Sequence, residues 1–366
     1  MKIPFFDYPS LYKRNASRYD SIIQKVCAKG HFILQHELDD FEEDLAKYTG
    51  AKYALGVSNA TDGLQMVLMT EKFSNDDEVL FSSHTMIATA SAIYHAGAIP
   101  IPCEAGYDGL INLDDCKRRL TGRTKGLVIT QLNGRTANME SVKAFCDENG
   151  LILYEDAAQG LGSQFRGRMA GTFGKASCIS FYPAKILGCF GDGGAILTDD
   201  LAIYEEVKLL RNHGRYGNNV IRWGFNARLD NIQAAILQEM LKDMDSVITR
   251  RRQIAFNYRD KLSNCCGVQL PFFDNESEDH FDTFQNFEIK ANNRDKLQEY
   301  LRNIGIGTLR QWDGKPVHQF HSLGFNQDLP ETDKLFEKLI MLPMNVFITD
   351  EDVNFICSTI RDFYDE

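Results

Sequence analysis

The chain has 366 residues, 43% hydrophobic and 25% charged, which is enough apolar material for a sizeable core and too long for one average domain. A net charge of −11 excludes nucleic acid and anionic membrane as the main partner, because both require a basic face. There is no run of 18 apolar residues, no apolar leader, no CxxC and no Cys/His grouping at zinc spacing among the nine cysteines, so reduced thiols, no metal site, no membrane span and a cytoplasmic location are expected.

Taken in chain order, Asp20 to Tyr48 reads as helix, turn, helix. Tyr53–Val57 is a short apolar run expected as a strand, with a helix from about Thr61 to Phe73 behind it. Glu78–Ser82 is the next strand and Ala88–Ala96 the next helix. Pro100–Cys103, Gly126–Thr130 and Leu151–Glu155 are further short apolar runs, with a helical stretch Ser141–Glu148 between the last two. Short strands alternating with helices imply an α/β fold with a parallel-rich sheet covered on both faces. Beyond about residue 240 the pattern changes. Asn231 to Ser263 reads as one long helix whose Arg250-Arg251-Arg252 run is expected on a solvated face. Phe284–Lys290 (strand), Arg294–Asn303 (helix) and Asp350–Tyr364 (helix) follow. The expected division is a large domain, 1–240, and a smaller α+β domain, 241–366.

Three segments carry chemistry. Ser58-Asn59-Ala60-Thr61-Asp62-Gly63 lies between a strand and a helix, where exposed N–H groups and a Thr hydroxyl suit a phosphate, although the same residue types commonly just cap a helix. Asp156 follows the strand Leu151–Glu155, where a carboxylate points into the ligand crevice of an open α/β sheet or else caps the next helix. Lys185 lies between Pro183 and the glycines 188, 191, 193 and 194, in irregular backbone that either approaches a bulky ligand or forms a surface loop. Together, an anion cradle, a carboxylate and a lysine are the three groups that pyridoxal phosphate needs.

These segments, Gly171-Thr172-Phe173-Gly174, Arg211 to Tyr216, Gly224 to Asp230 and Pro316-Val317-His318 together resemble the DegT/DnrJ/StrS family of sugar aminotransferases, and the resemblance runs nearly end to end. It implies the aspartate-aminotransferase fold (type I): a large domain with a mixed, mostly parallel sheet between helices, plus a smaller α+β C-terminal domain. It implies pyridoxal 5′-phosphate as cofactor, Lys185 as the residue that binds it covalently and later shuttles a proton, and Asp156 as the partner of its ring nitrogen. Gln159 would lie near the phenolic oxygen, and Ala60, Thr61 and Ser180 would hold the phosphate. Asn226 would reach the phosphate from a second subunit, making the active site a property of a homodimer. Arg228 and His318 are substrate candidates, each with a structural alternative. The implied substrates are L-glutamate and a nucleotide-linked keto sugar. The form Tyr-Pro-x-Lys-x-Leu-Gly-x-x-Gly-Asp-Gly-Gly over residues 182–194 leans towards amination at C3.

Two departures from the family pattern stand out. The segment His84-Thr85-Met86 has no aromatic residue after its Thr, so Met86, or His84 in its place, would pack on the cofactor ring. Gln131 stands where many members carry His. Two other functions remain in view, a dehydratase of the same fold and a non-catalytic regulatory protein. The first replaces the lysine by His, and the retained Lys185 and Asp156 argue against both.

Overall fold

The computed structural model describes residues 2–271 and 279–365. A seven-stranded sheet forms its centre. It contains β1 (Tyr53–Val57), β2 (Glu78–Ser82), β3 (Ile99–Cys103), β4 (Thr124–Thr130), β5 (Ile152–Asp156) and the strands Ala176–Ser180 and Gly194–Thr198. Their spatial order is β1, Gly194–Thr198, Ala176–Ser180, β5, β4, β2, β3. Every neighbouring pair is parallel except the two that involve Gly194–Thr198, which runs against both β1 and Ala176–Ser180. The sheet is therefore mixed and mostly parallel. Its strands are almost wholly apolar because helices cover both faces.

Gly194 shows why the antiparallel strand begins with glycine. A Cβ there would lie 2.6 Å from the Ala60 nitrogen, so only a bare backbone can pass so close to the start of the helix Ala60–Met69. The glycines around Lys185 thus serve close backbone packing; none of the four has a left-handed φ.

A separate apolar core is built from Ile254 to Leu262, the strands Phe287–Ala291 and Leu339–Leu342, and the terminal helix Asp350–Asp365. Ile3 belongs to that core: it pairs with Ile306, and the Gly305 carbonyl accepts from its N–H.

Several expectations need correction. The helix expected to reach Phe73 ends at Met69, because Lys72 adopts a left-handed φ of 55°. The long helix is two, Asn231–Leu241 and Met244–Leu262. Asp243 (φ −96°, ψ 2°) leaves helical geometry between them, and its carbonyl accepts the first bond of the second helix from Val247. The arginine run is not a solvated face. Arg251 is buried and donates to the carbonyls of Phe284 and Gln285, and burial lowers its pKa to about 10. Arg252 donates to the Asp282 carbonyl and lies over the Phe281 ring, while Arg250 pairs with Asp350.

Candidate active site

The C-terminal ends of β1, β4, β5 and Ala176–Ser180 open into a cavity of about 820 Å³. Its wall includes Ala60, Thr61, Met86, Asp156, Gln159, Ser180 and Lys185, so the fold gathers seven expected site residues from four separate segments.

The cradle is a true helix start. The Asn59 side chain accepts from the Asp62 N–H at 2.8 Å, and Asp62 in turn accepts from Ser58 Oγ and Asn59 Nδ2. Capping and anion binding are therefore compatible here. The cap occupies one amide, the Asp62 charge is tied to its neighbours, and the first-turn N–H groups of Ala60 and Thr61 have no intrahelical acceptor and border the cavity. Ser180 joins them from the end of its strand.

Asp156 is the last residue of β5 and is buried. Its Oδ2 accepts from Thr89 Oγ1 at 2.6 Å, and its Oδ1 accepts from the Ala158 N–H at 3.2 Å. Behind it lies a buried line of hydroxyls, with Thr130 donating to Thr85 (2.9 Å) and Thr85 and Thr89 bonded at 2.8 Å. Donors on both oxygens hold the carboxyl group in a fixed orientation at the cavity wall.

Lys185 lies on a turn in which its own N–H donates to the Tyr182 carbonyl. Gln285 clamps the loop from both sides, donating to the Ala184 carbonyl (2.8 Å) and accepting from the Ile186 N–H (2.6 Å). Enclosure pulls the lysine pKa from 10.5 down to about 8, against the opposing attraction of Asp156. A neutral, nucleophilic amine is then well populated near neutral pH. Cradle, carboxylate and amine, together with room for a planar ring, fit pyridoxal phosphate.

Other expected residues are not brought to this wall. His318 is buried away from it, bonded through Nδ1 to Ser83 Oγ (2.8 Å) and through Nε2 to Asp333 (3.0 Å), which makes it a staple between segments. Asn226 and Arg228 bond each other at 2.5 Å, and Arg228 also donates to Asn212; neither lines the cavity within one chain. His84 does not replace Met86. It is buried with Nδ1 2.8 Å from the Gly109 carbonyl and Nε2 without a hydrogen bond, whereas Met86 is 47% exposed at the cavity. Gln131 acts structurally, donating to Glu155 (2.7 Å), a buried carboxylate that also accepts the N–H groups of Gly171, Phe173 and Gly174.

Sequence reasoning missed Thr89, Gln285, Arg310, Gln311 and Trp312. Thr85 and Thr89 carried a signal, two hydroxyls four residues apart at a helix start. The others come from loops far along the chain and gave none.

The model of the DegT/DnrJ/EryC1/StrS aminotransferase family matches residues 15–361. The chain is 32% identical to the dTDP-3-amino-3,4,6-trideoxy-alpha-D-glucose transaminase of Streptomyces venezuelae, covering 99% of this chain and 96% of that one. It is 31% identical to the UDP-2-acetamido-2-deoxy-3-oxo-D-glucuronate aminotransferase of Pseudomonas aeruginosa, covering 98% and 99%. Among solved structures, S. venezuelae DesV superposes with a TM-score of 0.94 at 32% identity, covering 100% and 99%. The chain therefore belongs to the DegT/DnrJ/EryC1/StrS aminotransferase family.

Proposed function

We propose that this enzyme moves an amino group from L-glutamate to the keto carbon, C3 in preference, of a nucleotide-linked deoxy sugar. The observation that carries the reading is one cavity bordered by an anion cradle, the buried Asp156 and the amine of Lys185. Two relatives whose names place the amino or keto group at position 3 support the C3 preference, as does the Tyr182–Gly194 segment.

The cofactor is pyridoxal phosphate, which supplies an electron sink for the carbon that loses its proton. Ala60, Thr61 and Ser180 hold its phosphate by hydrogen bonds. Asp156, held in place by Thr89 and the Ala158 N–H, would pair with its ring nitrogen. Lys185 would hold the cofactor, and its amine, when free, would take the proton from the amino donor's Cα and return it. Met86 covers the ring face from the start of the helix Ile87–His95. The same residues act in reverse order on the keto sugar, so the two substrates take turns and the kinetics are ping-pong.

We further infer that the working unit is a cytoplasmic homodimer in which Asn226, with Arg228 beside it, completes the partner's cavity. Support comes from the adjoining hairpin, where Tyr216, Val220, Ile221 and Trp223 are exposed, Trp223 at 97%. Large apolar groups so displayed mark a surface that another molecule covers. The separate apolar core around Phe287–Ala291 supports a second, smaller domain, although Met244 and Ile248 still pack in the core of the first.

The deciding experiment is optical. The purified protein shows a visible absorption band that bleaches on adding L-glutamate and returns with a suitable keto sugar nucleotide. A panel of dTDP, UDP and GDP sugars then identifies the substrate. Absence of the band, with Lys185→Ala unchanged from wild type, overturns the reading.

A further inference from the structure

Five polar side chains from four segments form one network on the C-terminal side of the cavity, with His84 Nε2 facing Glu288 Oε2 at 3.5 Å. Glu288, on the strand Phe287–Ala291, is 7% exposed. Its Oε1 accepts from Gln311 Nε2 at 3.0 Å and its Oε2 from Asn133 Nδ2 at 3.0 Å. The other hydrogen of Gln311 Nε2 goes to Asn133 Oδ1 (2.8 Å), which also accepts from Asn286 Nδ2 (2.9 Å). With both hydrogens used, Gln311 can present only its oxygen to the next member, and it accepts from Gln159 Nε2 at 3.2 Å. Gln159 Oε1 is filled as well, by the Asn133 N–H (2.9 Å) and by Asn286 Nδ2 (3.3 Å).

An amide can be reversed at little cost, since its two ends have similar shape. A carboxylate cannot donate, and it is the one member of this network with that restriction. Its placement fixes the direction of the Gln311 and Asn133 side-chain amides, and together with the Asn133 backbone N–H it sets that of Gln159. The outcome at the far end is that Gln159, in the cavity wall, has its oxygen occupied and one N–H left over. The backbone is also committed to this arrangement. Asn133 (φ 60°) and Trp312 (φ 49°), beside Gln311, both lie in the left-handed region, a costly choice held only where the surroundings over-determine it.

We propose that Glu288 is a positioning residue. Through Gln311 and Asn133 it orients the Gln159 amide so that an N–H, and not the carbonyl, faces the ring oxygen of the bound cofactor. The inference rests on the reading that this cavity holds pyridoxal phosphate. Glu288→Gln keeps the shape but can donate, so the amide chain loses its fixed direction. Gln311→Met cuts the link between Glu288 and Gln159 without touching either.

The test is a pH titration of the holoenzyme's visible band, beside thermal melting of the cofactor-free chain. A donated hydrogen bond favours the anionic form of an oxygen, so its loss raises the midpoint. A rise of about one pH unit, the size of one hydrogen bond to a charged group, is expected in both Glu288→Gln and Gln311→Met. Glu288→Asp, which still only accepts, should restore more than half of the shift. If Glu288→Gln does not fold, Gln311→Met decides on the same readout. Variants that bind cofactor with the wild-type midpoint overturn the proposal, even when their melting temperature falls. A wild-type protein lacking the band overturns the functional reading instead.

Discussion

The cavity has two unlike walls. On the side of the strand ends, Asn59, Asp156 and Ser180 are placed by the central sheet, and the carboxylate among them is held by the Ala158 N–H and by the hydroxyl of Thr89 on a helix that packs against the sheet. On the C-terminal side, Gln159, Asn133, Asn286, Gln311 and Glu288 bond mostly to one another across long stretches of chain. Sheet register fixes the first wall, and the direction of a hydrogen-bond chain fixes the second. Groups that carry the chemistry belong on the rigid wall, while the adjustable wall can be altered without dismantling the sheet.

This contrast can be broken by experiment, and the largest effects should fall on the rigid wall. Lys185→Ala should lower kcat by at least about 10⁴-fold, because covalent attachment and proton transfer are lost together; single-turnover assays with L-glutamate check this. Asp156→Asn should cost roughly 10²–10³-fold in kcat, the usual scale for losing one preorganised electrostatic partner. If it costs no more than Gln311→Met, the two walls are not distinct.

A third prediction concerns pH. Because enclosure depresses the Lys185 pKa to about 8, the amine is protonated below that pH and neutral above it. The rate at which the cofactor-free chain takes up pyridoxal phosphate should therefore climb with pH and level off above about 8. At pH 8 about half the lysine is neutral, against roughly 0.3% for an unshifted side chain. A rate still rising steeply at pH 10 would show that the amine is not enclosed.

Subunit mixing sharpens the comparison by asking whether a third wall comes from a second chain. Lys185→Ala and Asn226→Ala chains, each inactive alone, should recover about a quarter of wild-type activity when unfolded and refolded together in equal amounts, since half the dimers are mixed and each has one intact site. No recovery refutes a shared site. The smallest effect on catalysis is expected at His318. His318→Leu should lower stability by about 1–3 kcal/mol by removing the acceptor of the buried Ser83 hydroxyl and one of the partners of Asp333, leaving KM for both substrates unchanged. A selective rise in the sugar KM would return His318 to the substrate site.

Much of the rigid wall was legible in the sequence because its residues follow apolar runs directly. β1 and β2 have the expected bounds, Asp156 ends a strand, and the Asn59–Asp62 turn comes just after one. The strands Ala176–Ser180 and Gly194–Thr198 went unread. The first is half made of small residues and the second opens from a glycine cluster, so neither shows an apolar run until packed. The adjustable wall was illegible for a different reason. Gln159 and Gln311 bond across 152 positions of chain, and no local pattern marks either as the other's partner. Arg251 was misread because a run of like charges gives no sign that a single member faces inwards to bind two carbonyls.

Ile3, near one end of the sequence, rests in a core whose other buried members lie between Ile254 and Ile360. That core cannot close on a nascent chain in order of synthesis. Ile3 must wait, tethered through the whole central sheet, until Asp350–Asp365 is available to pack on it. Contacts so far apart in sequence make for slow final assembly. Extensions or deletions at the amino end should accordingly be felt in the packing of Asp350–Asp365, at the opposite end of the sequence.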